Sequence, residues 1–363
     1  MTAKVIQFFG DICLENITEG AFAYGPLLEK EMGGTVINVG NLESPLTSSR
    51  EEKQHQAHIL HCLPEKAIGL LRPFRIVSLA NNHIQDFFNK GIEDTRCWLD
   101  KYGIQYFGVG KSQEEAIQPL CMDFDGLRIA FIGASRYANA SAQKQGTSVE
   151  RLGILRSLIY KLKQEGWSVV MFFHWGYLYQ RLPSPREVRI AHKCIDYGAD
   201  LVLGAHSHVF QAHERYRGKE IWYGLGNFIF HPQVASVLSD KGDRRVLESF
   251  FLRVEFDGGR VISCLPMWYR IANKYVEMIP HEISQPLEQE LACCSADLVG
   301  GGLHYRRMYY RQAVKIAKQS RKMRHEFQMA ERISWKDKLK IYMDFNFQDV
   351  CNRVAALFPC FFR

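Results

Sequence analysis

A layered α/β domain followed by a basic helical extension is predicted from three features of the sequence. Apolar, β-branched and aromatic runs recur along the first two thirds of the chain, with segments of helical apolar spacing between many of them. Most of these runs end in a polar or glycine-bearing cluster. The last two, Phe250–Phe256 and Arg260–Met267, are joined by Asp257-Gly258-Gly259, a hairpin signal that argues for a second or mixed sheet.

In chain order the strand-like runs are Lys4–Asp11, Thr35–Glu43, Arg75–His83, Gln105–Gly110, Leu127–Ser135, Trp167–Gly176, Ala199–His208 and Glu220–Phe230. Ile92–Tyr102, Val149–Glu165 and Arg186–Tyr197 carry apolar residues every three or four positions and read as helices. From about Gln285 the texture changes, and Pro286–Ala296 and Arg306–Met329 read as cation-rich helices. Ser334-Trp335-Lys336-Asp337 then resembles a capping box with Asp in place of Glu or Gln. Trp335, Leu339, Met343, Phe347, Val350, Val354 and Leu357 follow as one amphipathic stripe, which Pro359 ends. Residues 1–284 are thus expected to form the α/β domain and 285–363 the extension.

The 363 residues are 47% hydrophobic and 23% charged, ordinary values for a water-soluble fold, and no apolar stretch is long enough to span a bilayer. The net charge of +7 is local. From His304 onward there are 14 Lys+Arg against 5 Asp+Glu, and the remainder is slightly acidic. Two readings of the extension stay open: a helical cap on the domain, or a basic amphipathic segment touching an anionic membrane surface. The expected location is cytoplasmic, with the segment Trp335–Phe362 as the peripheral membrane contact in the second reading. The tyrosines among its arginines do not make a nucleic-acid signature. Ten scattered cysteines fit reduced, mostly buried thiols better than a disulfide framework. Gly108-Val109-Gly110-Lys111-Ser112 lacks the upstream glycine of a phosphate-binding loop, since Gln105 stands there.

Six strand ends carry metal-competent or acid–base groups: Asp11, Asn41 with Glu43, the Asn81-Asn82-His83…Asp86 cluster, His174, His206-Ser207-His208, and Asn227. In open α/β sheets ligands gather outside the carboxyl ends of strands. Side-chain alternation along a strand would put His206 and His208 on one side. Carboxylates, imidazoles and an amide oxygen together suit borderline-hard divalent cations. Each cluster alone has a turn or structural explanation; their recurrence at separate strand ends points to one site.

These blocks, together with Glu43-Ser44-Pro45-Leu46, His174-Trp175-Gly176 and Leu225-Gly226-Asn227-Phe228, resemble the CapA (poly-γ-glutamate/capsule synthesis) family over about residues 5 to 265. That family is similar to the calcineurin-like metallophosphatases. The resemblance implies a four-layer α/β/β/α sandwich around two divalent ions (Mn, Fe or Zn). It implies Asp11 and His208 on one metal, Glu43 bridging, and Asn82, His174 and His206 on the second. His83 would be the general acid, oriented by Asp86, with Asn41 and Asn227 touching substrate and Asn81 shaping the turn. The implied function is that of a hydrolase-like protein acting on a phosphoester or γ-glutamyl amide bond. The alternative is a non-catalytic component that binds or helps assemble an anionic polymer. Three departures bear on the choice: Cys13 stands where a histidine is common, Leu178 where a glutamate is, and Ala205 where a histidine often precedes the His-x-His. Cys13 reads either as a ligand for a soft metal or as a buried structural thiol.

Overall fold

Two β-sheets pack face to face, and helices cover the outer face of each. In the computed structural model, residues 3–15, 17, 22–24, 36–52, 59–230, 244–272, 275–299 and 302–312 are described here, and all of them fall in one compact unit. The nine-stranded sheet follows the order β2(Ala23–Tyr24)-β17(Tyr275–Met278)-β16(Arg260–Ile271)-β15(Glu248–Asp257)-β1(Lys4–Ile12)-β3(Ile37–Leu42)-β4(Ile76–Ser78)-β5(Gln105–Phe107), with β14(Asn227–Ile229) also paired to β1. Its β1, β3, β4 and β5 run parallel, whereas β15 and β16 run antiparallel, so the sheet is mixed. The six-stranded sheet has the order β12(His213–Tyr216)-β13(Lys219–Trp222)-β11(Leu201–Ala205)-β10(Ser168–His174)-β8(Leu127–Ser135)-β7(Leu120–Phe124). A small pair, β6(Val109–Gly110) and β9(Gly146–Thr147), lies apart.

Three buried apolar clusters define the four layers. The middle one joins Phe8, Val39 and Leu252 of the first sheet to Phe131, Phe172 and Leu203 of the second. Phe9, Ile12 and Val77 point the other way and meet Ile92 and Leu99 of the helix Phe88–Lys101. Ile132, Met171 and Val202 meet Leu155 and Ile159 of Leu152–Gln164 and Ile190 and Cys194 of Pro185–Tyr197. The expected α/β/β/α sandwich is therefore present. The central strands are buried on both faces, which is why they read as nearly continuous apolar runs. Pro185–Tyr197 starts in a complete capping box between Ser184 and Glu187 and stops at Gly198 with φ 113°. Gly258 and Gly259 turn the β15–β16 hairpin with φ 52° and 78°, the two positive values that a type I′ turn requires.

The carboxyl-terminal region begins as a helix, His281–Val299, whose Leu291 enters the inter-sheet core and whose Leu298 joins Tyr305 and Tyr309 on the outer layer. The stripe from Trp335 lies outside the described residues. No helix among the described residues is long and apolar enough to cross a membrane. All eight described cysteines are free; Cys97, Cys121 and Cys293 are exposed, more than the sequence suggested, because they sit on outward faces of a helix or an edge strand.

Candidate metal centre

The parallel strands of both sheets deliver their carboxyl ends to one edge of the sandwich. β1 brings Asp11, β3 brings Asn41 and, one residue beyond its end, Glu43. β10 ends at His174, level with Ala205 at the end of β11 and Ser135 at the end of β8. β14 starts at Asn227, opposite Asp11. The backbones approach so closely here that a Cβ on Gly10 would lie 1.8 Å from the Gly226 carbonyl oxygen, which accepts the Asp11 N–H at 2.8 Å. Gly10→Ala is expected to cost on the order of 3 kcal/mol, read from chemical denaturation, and to displace Asp11 from the site.

Ligand-type atoms of Asp11, Glu43 and His208 lie within 4.8 Å of one another, and all three residues are buried. Asp11 is held by the Asn41 amide at 2.8 Å and by the His206 N–H at 3.1 Å. The His208 ring nitrogen Nδ1 is 3.5 Å from Asp11 Oδ2 and 2.8 Å from the Asn227 amide oxygen. On the other side, His174 Nε2 lies 2.7 Å from Asn82 Oδ1, 3.0 Å from His206 Nδ1 and 3.5 Å from Glu43 Oε1. Glu43 stands between the two groups. Among the described residues neither of its carboxylate oxygens has a hydrogen-bond partner, although both are buried.

This arrangement fits divalent cations. Leaving an isolated carboxylate unpaired in the interior is costly, and a cation is the natural compensation. Burial, reinforced by the Asp11 charge, pushes the Glu43 carboxyl well above its ordinary range. Burial and neighbouring imidazoles push His174 and His206 well below theirs, leaving neutral rings with lone pairs to offer. Burial would lower His208 too, but the Glu43 charge, then Asp11 and Asn227, outweigh it and bring the ring to about 9.

His206 and His208 reach the site by a different route from strand alternation. β11 stops at Ala205, and both histidines have positive φ, 89° and 56°. A turn with strained backbone aims the rings, which lie 6.2 Å apart. The His83 ring Nδ1 is bonded to Asp86 Oδ2 at 2.7 Å, and the same oxygen accepts the Leu60 N–H at 2.9 Å. Asn81 accepts the backbone N–H groups of His83 and Ile84 and donates to the Leu42 carbonyl, so it builds the turn. Asn41 and Asn227 are buried and their amides are committed, Asn41 to Asp11 and His174, Asn227 to His208 and the Val246 carbonyl. Through these bonds they orient Asp11, His174 and His208. Cys13 belongs to the outer core cluster with Phe9, Leu14 and Ile229, burial pushes its thiol well up, and it stands outside the group formed by Asp11, Glu43 and His208.

Sequence reasoning missed Arg136 and Tyr137. They follow Ser135 at the end of β8, beside His174 in register, and the Tyr137 ring lies 4.9 Å from that of His206. The polar Ser-Arg-Tyr after an apolar run was the available signal.

The model of the family described as bacterial capsule synthesis protein PGA_cap matches residues 6–232. The chain belongs to this family. The PGA_cap match covers every residue of the site just described. Among curated relatives, the PGA biosynthesis protein CapA of Bacillus subtilis (strain 168) is 29% identical over 240 residues, covering 62% of this chain and 62% of the relative. The capsule biosynthesis protein CapA of Bacillus anthracis is 28% identical over 242 residues, covering 63% of this chain and 57% of the relative. This PGA_cap chain therefore spans less than two thirds of the length of those relatives. A crystal structure of a novel phosphatase from Mycoplasma pneumoniae is similar at a TM-score of 0.48 and 15% identity, covering 78% of this chain and 98% of that one.

Proposed function

We propose that this PGA_cap protein is a metal-dependent hydrolase of capsule or poly-γ-glutamate biosynthesis, acting on a phosphoester or γ-glutamyl amide bond. The observation that carries the reading is the buried Glu43 carboxylate, which accepts no hydrogen bond among the described residues and is set between Asp11 with His208 and His174 with Asn82 and His206. Asp11, Glu43 and His208 would hold one cation, and Glu43, Asn82, His174 and His206 a second. Two such ions supply Lewis acidity toward water and toward an oxygen of the scissile group.

The chain's own residues do the rest. Asn41 fixes both Asp11 and His174, and Asn227 fixes the His208 ring. Asp86 is bonded to Nδ1 of His83, which leaves Nε2 as the ring position that hands a proton to the leaving group. His83 retains access to solvent, with 12% of its side chain exposed, whereas Asp86 is fully buried. That suits a donor that must meet a substrate while its partner stays dry.

Elemental analysis of the purified protein, combined with a panel of phosphodiesters, phosphomonoesters and γ-glutamyl oligomers, tests this. Bound Mn, Fe or Zn and a turnover lost in His174→Ala and His206→Ala are expected. Protein that holds no such metal, and whose properties survive both substitutions, would overturn the proposal. Tight oligomer binding without turnover would favour a polymer-binding component instead, the reading toward which Leu178 points.

A further inference from the structure

The His206-Ser207-His208 turn is held from outside by a strap of backbone and a buried arginine. Both histidines have positive φ, 89° and 56°, a backbone state that persists only where neighbouring groups enforce it. The segment after Gly176 supplies that enforcement. The Tyr179 N–H donates to the Ser207 carbonyl at 2.8 Å, the Gln211 amide to the Gln180 carbonyl at 2.9 Å, and the Ala212 N–H to the Arg181 carbonyl at 2.9 Å. Residues 179–181 therefore run beside 207–212. On the far side, the Gln211 N–H donates to the Gly224 carbonyl at 3.0 Å and the Tyr223 N–H to the Ala212 carbonyl at 3.2 Å. The stretch that leaves the turn is bonded along both edges.

Arg181 closes this arrangement with its side chain. Nε and Nη2 donate to the two carboxylate oxygens of Glu290, at 2.8 and 3.3 Å. Nη1 donates to the Phe210 carbonyl at 3.1 Å, and the guanidinium lies 3.5 Å from the centre of the Phe210 ring. Phe210 stands two residues after His208. The Arg181 side chain is only 5% exposed, so its charge needs a counter-ion, and Glu290, 37% exposed, supplies one from the protein edge. Glu290 belongs to the helix His281–Val299, which lies beyond residue 232, where the family match ends. Ser295 of the same helix accepts the His213 N–H at 3.0 Å, a second tie to the stretch that leaves the turn. Without Glu290 the guanidinium would be drawn toward water and away from the Phe210 carbonyl.

We propose that Arg181 and Glu290 are positioning residues, through which the helix His281–Val299 holds the His206-Ser207-His208 turn in its strained form. They act through the carbonyl and ring of Phe210. This rests on the reading above that His206 and His208 hold cations, and adds that a carboxylate outside the family-matched segment sets how well they do so.

The test compares Glu290→Gln, Arg181→Lys and Arg181→Met with the wild-type protein and with Leu291→Ala, which loosens the same helix from the inter-sheet core but keeps the ion pair. Each full-length protein is chelated and titrated with Co²⁺ by calorimetry, and the visible spectrum of the bound cobalt is recorded. Arg181→Met is expected to weaken Co²⁺ binding by about 10- to 100-fold and to change the spectrum, the effect of removing a group that orients a ligand. Glu290→Gln should lose about 10-fold, and it carries the test if Arg181→Met does not fold. Arg181→Lys should recover only part of the loss, because an ammonium cannot form the fork to Glu290 while bonding the Phe210 carbonyl. Leu291→Ala should lower the urea midpoint at least as far, yet change the affinity by less than about twofold. Unchanged affinity in both Arg181→Met and Glu290→Gln, or an equal loss in Leu291→Ala, would overturn the assignment.

Amide hydrogen exchange of the chelated proteins supplies an arm that needs no metal. The Tyr179 and Ala212 amides, which join the strap to the turn, should exchange about 10-fold or more faster in Glu290→Gln than in the wild type. If the wild type takes up no Co²⁺, the metal-dependent reading fails. The positioning assignment then stands on that faster exchange, and falls if the two amides exchange at the wild-type rate.

Discussion

Glu43→Gln is expected to make the metal-free protein more stable while stripping it of its capacity for divalent cations. The side chain keeps its shape, but a buried carboxylate without hydrogen bonds disappears, together with its repulsion from Asp11. Removing a buried carboxylate that has no hydrogen-bond partner and lies beside the Asp11 charge should raise metal-free stability at neutral pH by about 1–3 kcal/mol, read as a higher urea midpoint after chelation. Most core substitutions move that midpoint downward. Metal content should fall at both proposed positions, because Glu43 would be shared between them, and activity should drop by about 100- to 1000-fold or more. A variant that keeps its metals, or whose chelated form is less stable than the chelated wild type, would contradict the bridging role.

The same groups give the chelated protein a stability maximum in pH. His208 is raised in the folded state to about 9 from 6.5, so its contribution is complete below pH 6.5 and is lost as pH climbs toward 9. Glu43 is raised as well, so the folded state loses ground as pH rises past the ordinary carboxylate value of 4.5. His174 and His206 are lowered, so their contribution is complete above pH 6.5 and is lost as pH falls below it. The two histidine effects meet near pH 6.5, and urea midpoints of the chelated protein should fall on both sides. In Glu43→Gln the alkaline fall should shrink, because the Glu43 charge is the main influence that raises His208.

What was legible in the sequence was what strand and helix periodicity can carry. Leu127–Ser135 has the bounds its apolar run suggests, and Pro185–Tyr197 differs from expectation by one residue at its start. The continuous run Glu220–Phe230 misled. β13 ends at Trp222 in the six-stranded sheet, and β14 resumes at Asn227 beside β1 in the other, with Gly226 at φ 70° just before it. A change of sheet leaves no mark on hydrophobicity, because both halves are buried. Leu120–Phe124 and His213–Tyr216 were missed because they are short edge strands in which only Phe124 is buried. At the site, residue types at strand ends pointed to the side chains that converge there. The sequence could not show that Asn41 and Asn227 spend their amides on other side chains, since that follows from neighbours 133 and 19 residues away. Nor could it show that backbone strain aims His206 and His208, because positive φ at a histidine depends on the turn around it.

His83→Asn is expected to lower kcat by about 100- to 10,000-fold on substrates with poor leaving groups while leaving metal content unchanged. The ring lies outside the cluster of Asp11, Glu43 and His208, and its Nδ1 is taken by Asp86, so its loss should not release a cation. Asparagine keeps a hydrogen-bonding group but cannot hand over a proton. The dependence on leaving group is the decisive readout: an activated leaving group such as a nitrophenolate needs no proton, and on it the variant should lose little. Asp86→Asn should act in the same direction with a smaller loss in kcat, because the ring remains but loses the carboxylate that orients it. It should also lower stability, since Asp86 accepts the buried Leu60 N–H and anchors the segment beside the site. If His83→Asn affects activated and unactivated substrates alike, His83 contributes to binding or to charge and not to proton transfer, and the leaving group must take its proton from water.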